Sequence, residues 1–104
     1  MTTSGYMLLN ATSGRLNADP NISIYYLMAG PLTGPLTLVA PPAPPDGQIV
    51  TIVNQWSHAC GFPVNFEGSD GQTVRDYYVM QLGPEASAHW QWVQQISTWM
   101  RIKM

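Results

Sequence analysis

Residues 36–54, LTLVAPPAPPDGQIVTIVN, constrain the fold of this chain more than any other stretch. Two β-rich runs, Leu36 to Ala40 and Gln48 to Asn54, flank four prolines (Pro41, Pro42, Pro44, Pro45) and the turn pair Asp46-Gly47. Proline fixes φ and donates no backbone hydrogen bond, so it is excluded from helix interiors and central strands. The bridge therefore favours polyproline II geometry, and its flanks favour strands. In QIVTIVN, Val50 and Ile52 share one face while Ile49 and Val53 share the other. A strand with one face in water alternates apolar with polar residues. Two apolar faces place this strand centrally in a sandwich, or set one of its faces against another chain.

The remaining segments repeat the theme. Ile22 to Met28 (ISIYYLM) reads as a strand, with Ile22, Ile24, Tyr26 and Met28 on one face and Tyr25 and Leu27 on the other. Gly30-Pro31 and Gly34-Pro35 punctuate the loop that follows, residues 54–63 form another loop, Val64 to Phe66 a short strand, and GSDG at 68–71 a turn. A segment begins at Thr73-Val74, and Asp76 to Leu82 reads as a strand. Ala88 to Val93 alternates strictly, Trp90 and Trp92 against His89 and Gln91. Gln94-Gln95 then turns the chain, and Ile96 to Lys103 closes a hairpin. Glu85-Ala86 could start a helix over 85–101, but the tryptophans, the β-branched residues and the lack of caps favour the hairpin. Turn signals about every 8 to 12 residues are the pattern of a sandwich or barrel. The expected fold is all-β: an antiparallel, jelly-roll-like sandwich or small barrel over residues 22–104. Residues 1–21 form an N-terminal arm or first strand around the apolar patch Tyr6, Met7, Leu8 and Leu9.

At 104 residues the chain is one domain with a modest core, burying about two-thirds of its unfolded surface. Charged residues are only 10% of it, against about 25% in ordinary globular proteins. Gln, Asn, Ser, Thr and aromatics take their place, a composition that suits protein–protein interfaces. Four basic residues make no stripe for phosphates, which argues against nucleic acid as a partner. No apolar run is long enough to span a bilayer, which argues against a membrane. The start of the chain does not read as a secretory signal, and a lone cysteine, Cys60, excludes an intrachain disulfide framework.

Chemistry finds little footing. His58 and Cys60, with His89, are the only metal-like set, and zinc wants three or four ligands at other spacings. The same His58 and Cys60 lack the surroundings of a cysteine nucleophile. Glu67 and Asp70 flank a turn and are read as turn chemistry rather than a glycosidase pair. No catalytic residue, cofactor or metal is expected. Trp56, Trp90, Trp92 and Trp99 could stack on a glycan, but aromatics more often fill cores and subunit interfaces.

Several short motifs carry a family resemblance. They are Leu36-Thr37-Leu38, Pro45-Asp46-Gly47-Gln48, Val50-Thr51-Ile52-Val53-Asn54, Ser87-Ala88-His89-Trp90-Gln91-Trp92 and Trp99-Met100-Arg101-Ile102. Together they resemble a module of tailed-bacteriophage structural proteins: capsid decoration proteins, head fibres and tail-fibre segments. The likeness covers residues 22–103, departs in its extra prolines, and has no counterpart for residues 1–21 or for a virion-anchoring domain. It implies a β-structured homotrimer on the outer surface of a virion, made in the host cytoplasm. The function it implies is non-enzymatic: a trimeric decoration or cement protein stabilising the phage head, bound to the major capsid protein or another virion protein. The alternative is a tail-fibre or receptor- or glycan-binding fibre module. Ile49, Val50, Ile52, Val53, Trp90, Trp92 and Trp99 are then the expected subunit interface, and Tyr6 to Leu9 the expected capsid contact.

Overall fold

A computed structural model describes residues 5–28, 32–55, 61–69, 71–75, 78–79, 83 and 86–102. Among the described residues ten strands and one 3₁₀ turn make up the regular structure. The strands are β1 (Gly5–Leu9), β2 (Gly14–Asn17), β3 (Ile22–Leu27), β4 (Leu36–Val39), β5 (Ile49–Asn54), β6 (Val64–Glu67), β7 (Thr73–Val74), β8 (Tyr78–Val79), β9 (Ser87–Val93) and β10 (Thr98–Ile102). They form a six-stranded sheet in the order β1-β3-β5-β9-β10-β7 and a four-stranded sheet in the order β2-β4-β6-β8. We call these the large and the small sheet. Among the described residues no helix is long and apolar enough to cross a membrane.

The chain is all-β, as its turn spacing predicts, but its pairing is not antiparallel throughout. Of the eight ladders, five are parallel: β1–β3, β3–β5, β2–β4, β4–β6 and β7–β10. Three are antiparallel: β5–β9, β9–β10 and β6–β8. The first six strands alternate between the sheets, β1, β3 and β5 in the large and β2, β4 and β6 in the small. The result is a flattened roll in which each turn stacks on the one before. The proline bridge explains part of this departure from a jelly roll. Residues 40–48 do not return β5 alongside β4; they carry the chain across to the other sheet. Ala40 N donates to Glu67 O at 2.7 Å, continuing the parallel ladder, and Gln48 N donates to Pro45 O at 3.1 Å. Gly47 takes φ 87°, a value that favours glycine. Its N–H reaches Trp92 O at 2.9 Å, while the Asp46 carboxylate accepts from Gln94 N at 3.0 Å.

The core lies between the sheets. Inward positions alternate with outward ones along β1, β5, β6 and β9, as the pleat requires. Tyr25 and Leu27, Leu36 and Leu38, Val50 and Ile52, Val64 and Phe66, and Ala88, Trp90 and Trp92 all point inside. Phe66 stacks on Trp90 with centroids 4.7 Å apart and meets Trp99 edge-on at 5.2 Å. Each buried tryptophan removes about 150–250 Å² from water, worth roughly 4–6 kcal/mol at about 25 cal/mol per Å². The expected hairpin is present: Trp92 opposes Trp99 and Trp90 opposes Arg101 across β9 and β10. Its turn is the 3₁₀ segment Gln94–Ile96 followed by Ser97 at φ 48°. The expected strand over 76–82 is described only at Tyr78–Val79. Residues 5–17, read from the sequence as an arm or first strand, supply β1 and β2, one edge strand to each sheet.

Candidate functional site

The two sheets present unlike outer faces. On the small sheet the outward residues include Arg15, Asn17, Thr37, Asn65 and Glu67, and the Arg15 guanidinium pairs with the Glu67 carboxylate at 2.8 Å. Polar and charged side chains of this kind make an ordinary solvated face. The outer rows of the large sheet have none of that charge. Its registers align Leu8, Tyr26, Val53 and Ser87 in one outer row, and Tyr6, Ile24, Thr51, His89 and Ile102 in the next. Ile49, Gln91 and Met100 form a third. No Asp, Glu, Lys or Arg stands among them. Tyr6 is 65% exposed, Leu8 49%, Met28 45% and Ile49 41%. Tyr6 and Tyr26 meet edge-on, with centroids 6.1 Å apart.

The side chains expected at a subunit interface divide between the two faces. Val50, Ile52, Trp90, Trp92 and Trp99 lie inside the chain's own core, at 0–4% exposure. They reach no neighbour, because their alternation turns them into the space between the sheets. Ile49 and Val53, on the opposite face of β5, remain on the outer surface. Of the expected contact patch, Tyr6 and Leu8 are outward and exposed, whereas Leu9 is core and Met7 packs against it. Trp56, His58, Cys60 and Asp70 lie outside the described residues. Among the described residues no group of three or more His, Cys, Asp or Glu could hold a metal ion.

One polar constellation on the outer face of the large sheet was not visible in the sequence. His89 sits between two hydroxyls: Thr51 Oγ1 is 2.9 Å from Nδ1, and Ser87 Oγ is 2.9 Å from Nε2. Thr51 is its cross-strand partner, and Ser87 lies two residues away on the same face. Only the β5–β9 register joins them, and that register is a long-range fact. Partial burial, and then the Arg101 charge, lower the His89 pKa below its usual value of 6.5. A nucleophile–base pair needs the reverse: a carboxylate that orients the imidazole and stabilises its cation. Here the neighbouring charge is a cation and the orienting group a neutral hydroxyl. The arrangement suits a neutral imidazole bridging two strands, and base catalysis finds no support in it.

No protein-family model matches this chain, and neither does any curated protein sequence. The candidate functional feature is therefore the outer face of the large sheet: apolar toward β1, hydroxyl- and imidazole-bearing toward β9, and without formal charge across the rows described.

Proposed function

We propose that this chain is a non-enzymatic structural protein of a tailed-bacteriophage virion, a homotrimeric decoration or cement protein of the phage head. The contrast between the two outer faces carries this reading. The polar, ion-paired outer face of the small sheet suits water, and the uncharged outer rows of the large sheet suit burial against sister chains. The motifs in residues 36–54 and 87–102, which resemble virion modules, supply the biological setting. Of the tryptophans on which the fibre-tip alternative draws, Trp90, Trp92 and Trp99 are spent on the core and Trp56 lies outside the described residues. That alternative therefore ranks second.

Assembly through this face is tested by Val53→Asp, which places a carboxylate at the centre of the apolar rows. Light scattering after size exclusion should show the mass falling threefold while the far-UV spectrum is kept. A variant that retains the wild-type mass refutes the face as the trimer contact. Mass spectrometry of purified particles tests the virion setting: wild-type protein should be incorporated, and its absence from heads and tails alike refutes that setting.

A further inference from the structure

The two ends of the roll differ. At the far end the last strand of the large sheet is β7, of two residues, and so short an edge protects a sheet from unwanted pairing. At the near end the last strands are β1, of five residues, and β2, of four. Among the described residues no strand pairs with the outer edge of either. The direction of the open groups follows from the bonds already made. Met28 N donates to Leu9 O, so Leu9 and Met7 turn their backbone groups toward β3. Tyr6 and Leu8 turn theirs to the open side. Gly14 N donates to Pro35 O and Ala18 N to Val39 O, which leaves Arg15 and Asn17 facing out of β2.

The core is also open at this end. Met7 and Leu16 point inward but are only partly buried, whereas Tyr25 and Leu38, one turn further in, are 0% and 2% exposed. Among the described residues, then, the last turn of the stack has unpaired edges, an incompletely covered core and no cap. The charge on β2 does not guard this edge: the Arg15 side chain leans inward over the small sheet to Glu67, two strands away.

We propose that this end is a pairing surface for the same end of a second copy of the chain. The partner must offer two free edges at once, separated by the spacing of two packed sheets, with apolar side chains between them. A second copy, related by a two-fold axis perpendicular to the roll, offers both edges in register with the need. β1 meets its counterpart antiparallel, β2 does the same, and Met7 and Leu16 of the two copies close one core. Both sheets then run unbroken through the dimer. This contact uses strand edges rather than the outer face of the large sheet, so it stands or falls separately from the trimer contact.

Asn17→Pro tests it. Among the described residues the Asn17 N–H faces out of β2, and proline is tolerated on an edge strand where the N–H faces out, so the fold survives while the edge is blocked. Asn17→Ala removes the same side chain but keeps the N–H, and position 17 lies on the small sheet, away from the outer face of the large one. At micromolar concentration the Asn17→Pro mass should be half that of the wild type, and Asn17→Ala should keep the wild-type mass. A factor of two here is distinct from the factor of three expected for Val53→Asp. Equal masses for wild type and Asn17→Pro overturn the proposal. Should Asn17→Pro fail to fold, amide exchange of the wild type decides: Arg15 and Asn17 should exchange more slowly as concentration rises. Fast, concentration-independent exchange at both overturns it.

Discussion

Gln72→Leu should destabilise the chain more than any other single polar-to-apolar change among the contacts described above. The Gln72 side chain joins three segments that are distant in sequence. Its Oε1 accepts from Trp99 Nε1 at 2.8 Å and from Ser69 N at 3.1 Å, and its Nε2 donates to Pro41 O at 3.0 Å. Trp99 is 0% exposed and Pro41 is among the fully buried residues. Leucine fills a similar volume but answers none of the three groups. A buried donor or acceptor left without a partner costs about 1–3 kcal/mol. With two such groups, and a small apolar gain from leucine in return, the expected loss is about 2–4 kcal/mol. For a domain of this size that lowers Tm by roughly 8 °C or more. Trp99→Phe removes the indole N–H, so in the double variant one of those orphans disappears. The pair should therefore be coupled by about 1–2 kcal/mol, with the double variant more stable than the sum of the singles predicts. Urea unfolding followed by far-UV circular dichroism measures all four species without relying on tryptophan signal. A coupling below about 0.5 kcal/mol would mean that the indole N–H does not depend on Gln72, and would refute the reasoning.

Two further outcomes follow from the outer faces. The His89 pKa is lowered in the folded state, so the folded chain binds fewer protons than the unfolded chain below the ordinary histidine value of 6.5. Its contribution is fully present above that pH and is lost as pH falls toward the lowered folded value; a flat stability difference between wild type and His89→Gln from about pH 7 to pH 5 would contradict this. The Arg15–Glu67 pair has side chains 63% and 47% exposed, so Arg15→Gln should cost less than about 1 kcal/mol, and a larger loss in thermal melts would assign the pair a structural role that its exposure argues against.

The pleat makes alternation local, and so much of the fold is legible from residues alone. The strands over 22–27, 49–54 and 87–93 lie close to the positions that β-branched and aromatic runs predict, and Asp46-Gly47 makes its turn. Which residues share a face is equally readable: Tyr25 with Leu27, Ile49 with Val53, and Trp90 with Trp92. Which of the two faces looks inward is not. The sequence pattern of β5 is apolar on both sides, and only the small sheet above Val50 and Ile52 decides that those residues are core and that Ile49 and Val53 are surface. Trp90, Trp92 and Trp99 went the same way, into the chain's own interior, because Phe66 and Gln72 come from elsewhere in the chain to meet them.

Strand partners are the other decision that belongs to tertiary structure. Backbone hydrogen bonding does not depend on side-chain identity, so nothing local distinguishes a proline bridge that returns a strand beside its predecessor from one that carries it to the opposite sheet. The sequence by itself determined that this chain is built of short strands, poor in charge and rich in apolar faces. Long-range pairing decided that the strands wind into a two-sheet roll. It also placed Thr51, Ser87 and His89 together, and left the outer rows of the large sheet uncharged.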